Sequence, residues 1–199
     1  MTLYHCSPTP GLTVLEPSVT KYFGKPRQVC LTASLPMALM YGVKHFEYAY
    51  GYTRAGQIYY EEYWPNALEE IYRGRSASLY LCARREDMGP TAIPNEFVTG
   101  SAVPVEEERP IPDVLAALLE QERLGALEIV RWDEMGEKQR RRVVRAEADA
   151  IREKGLTARP DDPFARYMRE KYPESWALAA QEAMEEQTEH KEEHHELTQ

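Results

Sequence analysis

Cysteine is scarce in this 199-residue chain: Cys6, Cys30 and Cys82 are far apart and form no Cys-x-x-Cys pair. That spacing argues against both a disulfide framework and a thiolate zinc site, so each is expected to be a small buried or half-buried thiol. No apolar run approaches the length needed to cross a bilayer. The start, Met1-Thr2-Leu3-Tyr4-His5, has no basic region ahead of an apolar stretch, so a cytoplasmic protein without a membrane partner is expected. A basic excess is missing as well. The formal net charge is −9, of which residues 182–196 supply −6 through seven glutamates set against Lys191. Residues 1–100 hold nine basic and nine acidic side chains, so no positive field draws that part to nucleic acid, although a small anionic ligand is compatible with it. His190, His194 and His195 stand among the terminal carboxylates. A flexible tract offers no preformed geometry, and no metal site is assigned there.

With 43% apolar residues the chain has enough to bury one core and a small appendage. Leu3 to Cys6 reads as a strand, and Pro8, Pro10, Gly11 and Pro17 make the next segment irregular as far as Tyr22-Phe23-Gly24-Lys25-Pro26. Gln28-Val29-Cys30-Leu31-Thr32 is a second strand. Ser34 is placed as an N-cap, with Pro36 in the first turn of a helix that ends near Tyr41-Gly42. Residues 46–63 predict a hairpin turning at Thr53-Arg54-Ala55-Gly56. Its alternating Tyr48, Tyr50 and Tyr52 read as sheet stabilisers rather than as a binding platform. Beyond it lie a short helix over 65–72, a buried strand over 78–83 and extended chain from 94 to 108. From 111 to 124 the apolar spacing becomes helical, and helices continue over 133–154, 161–172 and 173–187. Arg140-Arg141-Arg142 and Arg145 alternate with acids and read as a solvated helix face. The expected organisation is an α+β domain over 1–110 on a mixed or antiparallel sheet, a helical extension over 111–186, and a disordered acidic tail over 187–199.

Function hinges on His5. A histidine near the end of a strand, followed by a small residue and a hydroxyl, presents its imidazole and the next backbone amides to one ligand; it is equally the pattern of a hydrogen-bonded strand histidine. Position alone leaves both open. Four segments in order narrow the choice: Leu3-Tyr4-His5-Cys6-Ser7, Cys30-Leu31-Thr32-Ala33, Tyr41 eleven residues beyond Cys30, and Asn95-Glu96-Phe97-Val98. Together they resemble the ADP-ribosyltransferase superfamily, in its His-Tyr-Glu branch with the poly-ADP-ribose polymerases and rifampin ADP-ribosyltransferase.

The resemblance covers roughly the first half of the chain, and it implies an ADP-ribosyltransferase-like sheet core with NAD as substrate and no metal. It casts Glu96 as the catalytic glutamate. His5 becomes the histidine that holds the adenosine-side ribose, with Cys6, Ser7, Cys30 and Thr32 around the nucleotide, and Tyr41 becomes the ring that stacks on nicotinamide. The ADP-ribose acceptor, a protein for example, is not specified. Three positions depart from the pattern: Cys30 replaces a tyrosine, Cys6 a glycine, and Ala38 a small hydroxyl residue that binds the carboxamide. A lost hydrogen bond of that kind costs about 0.5–1.5 kcal/mol. The same residues therefore also fit a non-catalytic module that binds a nucleotide or a protein. An RNA 2′-phosphotransferase-like enzyme is a third reading, which the balanced charge disfavours.

Overall fold

The computed structural model describes residues 1–18, 27–46 and 49–196, with side chains described through Glu185. In chain order the elements are β1 (Thr2–Ser7), β2 (Val14–Leu15), β3 (Val29–Thr32), α1 (Leu35–Tyr41), β4 (Tyr50–Tyr52), β5 (Ile58–Glu61), α2 (Ala67–Tyr72), β6 (Ala77–Ala83), β7 (Gly89–Pro90), β8 (Glu96–Thr99), β9 (Val103–Pro104), β10 (Glu107–Ile111), α3 (Val114–Arg123), β11 (Glu128–Val130), α4 (Glu137–Glu153), α5 (Pro163–Lys171) and α6 (Pro173–Glu196). The chain is α+β. It divides into two compact units, Met1–Glu61 with Asn66–Val130, and Glu62–Pro65 with Arg131–Gln199.

The first unit is built on a six-stranded sheet in the order β10-β6-β1-β3-β8-β7, with every neighbouring pair antiparallel. The sequence Ala-Ser-Leu-Tyr-Leu-Cys-Ala makes β6 apolar on both faces and buries it between β1 and β10, as a continuous hydrophobic run does in the interior of a sheet. One face carries Leu3, Val29, Leu31, Tyr80 and Cys82, closed over by Leu15, Met88 and Val103. Each such side chain contributes about 1.5–3 kcal/mol on leaving water. The other face carries Cys6 and Thr32, and α1 packs against it. Ser34 caps that helix by accepting the Met37 N–H at 3.4 Å, and Pro36 lies in its first turn, where no backbone donor is needed. A second sheet, β11-β5-β4, holds the expected hairpin. Here Gly51 sits opposite Tyr59, and the ring of Tyr59 lies where a Cβ at Gly51 would be. Tyr48 and residues 22–26 of the preceding loop lie outside the described residues.

Three expectations are corrected. Helix α3 packs against α1 and α2, so the first unit extends to Val130 instead of ending at 110. The stretch Glu128-Ile129-Val130 forms a strand parallel to β5, with buried Ile129 as its anchor. Finally, α6 continues to Glu196, through most of the tail expected to be disordered. Its Glu, Gln, Lys and Ala content favours helix, and neither glycine nor proline interrupts it after Pro173.

The second unit is helical. Val143, Glu147, Ala148 and Ile151 make one buried stripe along α4, and Arg145 and Arg152 both pair with Glu182 of α6. Arg140 donates to the carbonyls of Trp132 and Asp133 at 3.1 Å each, and Arg141 pairs with Glu137. Among the described residues no helix is long and apolar enough to cross a membrane.

Gly42, which ends α1, is closely packed between that helix and the sheet. A Cβ there would come 2.7 Å from Cys6 Sγ, 3.0 Å from the Leu39 carbonyl and 3.1 Å from Ala77 Cβ. Gly42→Ala is expected to destabilise the protein by about 1–3 kcal/mol, the usual cost of overpacking, and to lower the melting temperature measurably. An unchanged melting temperature would show that β1 and α1 are not tightly seated.

Candidate functional site

The motif segments occupy three adjacent strands. Tyr4 of β1 is the partner of Thr32 of β3, and Thr32 is the partner of Glu96 of β8, so these three form one row across the sheet. His5 lies one residue further along β1, opposite Tyr80. Strand alternation therefore gives its side chain to the other face, where its ring lies 6.4 Å from that of Tyr80. The ring is turned into the backbone of β3, with Nδ1 3.0 Å from the Cys30 carbonyl. A carbonyl only accepts, so Nδ1 carries the proton and Nε2 is left with the lone pair. Burial, only partly offset by that bond, lowers the pKa below the ordinary 6.5, so the ring is neutral at pH 7.

Glu96 opens β8 directly after a left-handed residue. Asn95 has φ +63°, a conformation that asparagine tolerates better than most residues, and its carbonyl accepts the Ala33 N–H at 2.8 Å. The turn that includes Asn95 is thus tied to the β3–α1 junction. The half-buried Glu96 carboxylate accepts a hydrogen bond from the Thr91 hydroxyl at 2.6 Å. Beside it stand tyrosines from the second sheet. Tyr52 donates to the Pro94 carbonyl at 2.9 Å, and the hydroxyls of Tyr50 and Tyr41 are 2.9 Å apart. Burial raises the pKa of both Tyr50 and Tyr52, and the negative charge of Glu96 adds to it, so both phenols remain protonated at neutral pH. Tyr50, the hydrogen-bond partner of Tyr41, thus feels the charge of Glu96.

The remaining candidates divide. The Thr32 hydroxyl is buried and engaged with Met37 and the Ser34 N–H, so it builds the β3–α1 turn. The thiol of Cys6 is buried, with its pKa pushed up to about 12, and its neighbour across the interface is Gly42. Cys6 offers backbone only. Cys30 is half-buried, its Sγ 3.5 Å from the Gln28 amide, and Ser7 accepts the Thr9 N–H at 3.2 Å. Ala38 is buried within α1. Sequence reasoning missed Tyr50 and Tyr52 as neighbours of Glu96, because their alternation also fits plain cross-strand packing.

It also missed what holds the loop after Ser7. Tyr80 donates to the Thr9 carbonyl at 2.5 Å and accepts from Leu12 N–H at 3.3 Å, while both carboxylate oxygens of Glu108 lie 3.1 Å from Gly11 N. Among the described residues no group of three or more His, Cys, Asp or Glu side chains is arranged to hold a metal ion.

No family model matches the chain, and neither a curated protein nor a solved structure matches it.

Two pH effects are expected of this geometry. Hydrogen bonds from Ser78 first, then from Gly11 N–H, hold the Glu108 carboxyl below its ordinary value of 4.5. A depressed carboxylate contributes stability above its unfolded pKa and loses it as pH falls through the folded one. Relative to Glu108→Gln, the wild type is expected to have its full advantage in melting temperature at pH 7 and to lose it progressively below 4.5; a pH-independent difference would mean that the charge is irrelevant. His5 is expected to titrate below 6.5 by NMR, and a midpoint at or above that value would contradict the buried neutral ring.

Proposed function

We propose that this chain is an ADP-ribosyltransferase-like enzyme that binds NAD, breaks its nicotinamide–ribose bond and passes ADP-ribose to an acceptor. The observation that carries the reading is the row Tyr4–Thr32–Glu96. It sets segments from both ends of the first 100 residues on neighbouring strands, with Glu96 within electrostatic reach of Tyr50, the hydrogen-bond partner of Tyr41. The ordered motifs support it.

Chemically, the bond from ribose C1′ to the pyridinium nitrogen breaks with its electron pair going to nitrogen, so nicotinamide leaves neutral. Positive charge then develops on the sugar, and the Glu96 carboxylate stabilises it mainly in the transition state. The acceptor's nucleophilic atom bonds to C1′ and gives up its proton, for which Glu96 is the nearby base. Tyr41 holds the departing ring. In place of the expected aromatic and hydroxyl, Cys30 and Ala38 weaken the inner wall of this pocket.

A second reading, a nucleotide-binding module without turnover, draws on one observation: His5 lies out of step with the row that carries Glu96, so the two side chains leave the sheet on opposite faces.

Glu96→Gln keeps size and hydrogen bonding while removing charge. In the transferase reading it is expected to lower turnover by a factor of about 10² or more, roughly 2.7 kcal/mol of barrier, with little change in NAD affinity. Tyr41→Ala is expected to weaken NAD binding as well as to slow release. Nicotinamide release at saturating and limiting NAD, together with NAD calorimetry, checks both. Equal turnover in wild type and Glu96→Gln removes Glu96 from catalysis, and binding without release establishes the module.

A further inference from the structure

Sequence alone gives His190, His194 and His195 no fixed geometry, but helix α6 does: it runs unbroken from Pro173 to Glu196 and carries all three. In that helix His190 and His194 stand four residues apart, about one turn along the same face, a spacing that sets Cβ atoms about 5–6 Å from one another. His195 is about 140° round the axis from His190 and about 100° from His194. The register therefore makes one pair of the three and leaves His195 outside it.

The same stretch is short of positive charge. Residues 182–196 carry seven glutamates against Lys191, and of these Glu182 is paired with Arg145 and Arg152 of α4. Beyond it, Glu185 and Glu189, Glu189 and Glu193, and Glu192 and Glu196 are like-charge pairs at i,i+4, each unfavourable to the helix. Lys191 has no glutamate three or four residues to either side, so it stands at none of the spacings at which an ion pair supports a helix. The carboxylates also gather at the end of α6 where the backbone dipole is itself negative. A cation held on this turn counters both.

We propose that the turn from His190 to His194 binds one divalent transition-metal ion of the zinc type, and that the ion stabilises the last turns of α6. Neutral imidazole is the commonest protein ligand for such metals, and i,i+4 is the spacing at which two histidines of one helix share a zinc ion. The paired imidazoles set the choice of metal. A hard ion such as Mg²⁺ takes oxygen ligands, which the glutamates offer along the whole stretch and not at this turn alone. Two protein ligands leave the other coordination positions to water or to a group from another molecule. The remaining histidines are in the first unit, where His5 donates to the Cys30 carbonyl and His45 Nε2 lies 3.4 Å from the Tyr72 hydroxyl. Nothing in this site draws on NAD or on Glu96.

The probe is Zn²⁺ alone, titrated by calorimetry into the full chain without an affinity tag, with Mg²⁺ as the hard-cation comparison and far-UV circular dichroism as the measure of helix. Wild type is expected to bind Zn²⁺ and to gain helical signal, while Mg²⁺ at equal concentration does neither. His190→Ala and His194→Ala are each expected to weaken Zn²⁺ binding about tenfold or more, through the loss of one of two ligands, whereas His195→Ala changes it by less than about twofold. Alanine is the strongest helix former, so all three variants keep the helix and the comparison among them reads ligation. A loss at His195 as large as the loss at His194 means that the imidazoles act without helical register, and it overturns the site. So does Mg²⁺ acting as well as Zn²⁺, which means binding by carboxylates only, and so does the absence of Zn²⁺ binding in wild type.

Discussion

The centre of the large sheet depends on one side-chain hydrogen bond. Strands β1 and β6 are in register over six pairs from Thr2↔Ala83 to Ser7↔Ser78, whereas β1 and β3 register at Tyr4↔Thr32. One residue past that rung, His5 reaches across and donates Nδ1–H to the Cys30 carbonyl. A buried carbonyl without a donor costs about 1–3 kcal/mol, so the imidazole helps to hold β3 in place and, through the β3–β8 ladder, Glu96 as well. The bond also fixes the tautomer. The residue that stabilises the middle of the sheet is thereby left with a lone pair at Nε2.

Polar chemistry around this centre is distributed by rigidity. The loop after Ser7 leaves the sheet through prolines and Gly11, yet it is tied down by Tyr80, whose ring lies in the core cluster, and by Glu108 at the edge strand β10. On the opposite face, Asn95 in its left-handed conformation fixes the direction in which Glu96 enters β8, while Thr91 holds the carboxylate. Both ends of the candidate site are therefore carried on loops whose backbone amides and carbonyls have named partners in the sheet. Preorganised polar groups of this kind lose little on binding, which is the condition under which one carboxylate exerts a large effect on a developing charge.

Legibility in the sequence tracked the range of the interactions. Ser34 and Pro36 announced α1 because capping is local, and β6 announced itself because a strand buried on both faces is apolar at nearly every position. The Tyr50–Tyr52 hairpin was visible through its alternation and turn residues. What escaped was set by long-range pairing. Glu128-Ile129-Val130 is too short to show a period, and only its parallel register on β5 makes it a strand. The reach of the first unit to Val130 depends on α3 lying against α1 and α2, which no local pattern around Pro110 encodes. In the site, the order of His5, Cys30, Tyr41 and Glu96 was readable, but the half-period between His5 and Glu96 was not. It arises from which residue of β1 faces Thr32, a register fixed by the whole sheet.

That half-period and the tyrosine row bear on one another. The resemblance implies an aromatic at position 30 and a hydroxyl at position 38, and the chain has Cys30 and Ala38 there. With Tyr50 bonded to Tyr41 and Tyr52 bonded beside Glu96, the second sheet supplies aromatic surface on the Glu96 face, while His5 addresses the other. The aromatic residues nearest Glu96 in charge interaction thus come from elsewhere in the chain: Tyr41, Tyr50 and Tyr52 form a row positioned by a helix and a hairpin that are distant in sequence from the glutamate.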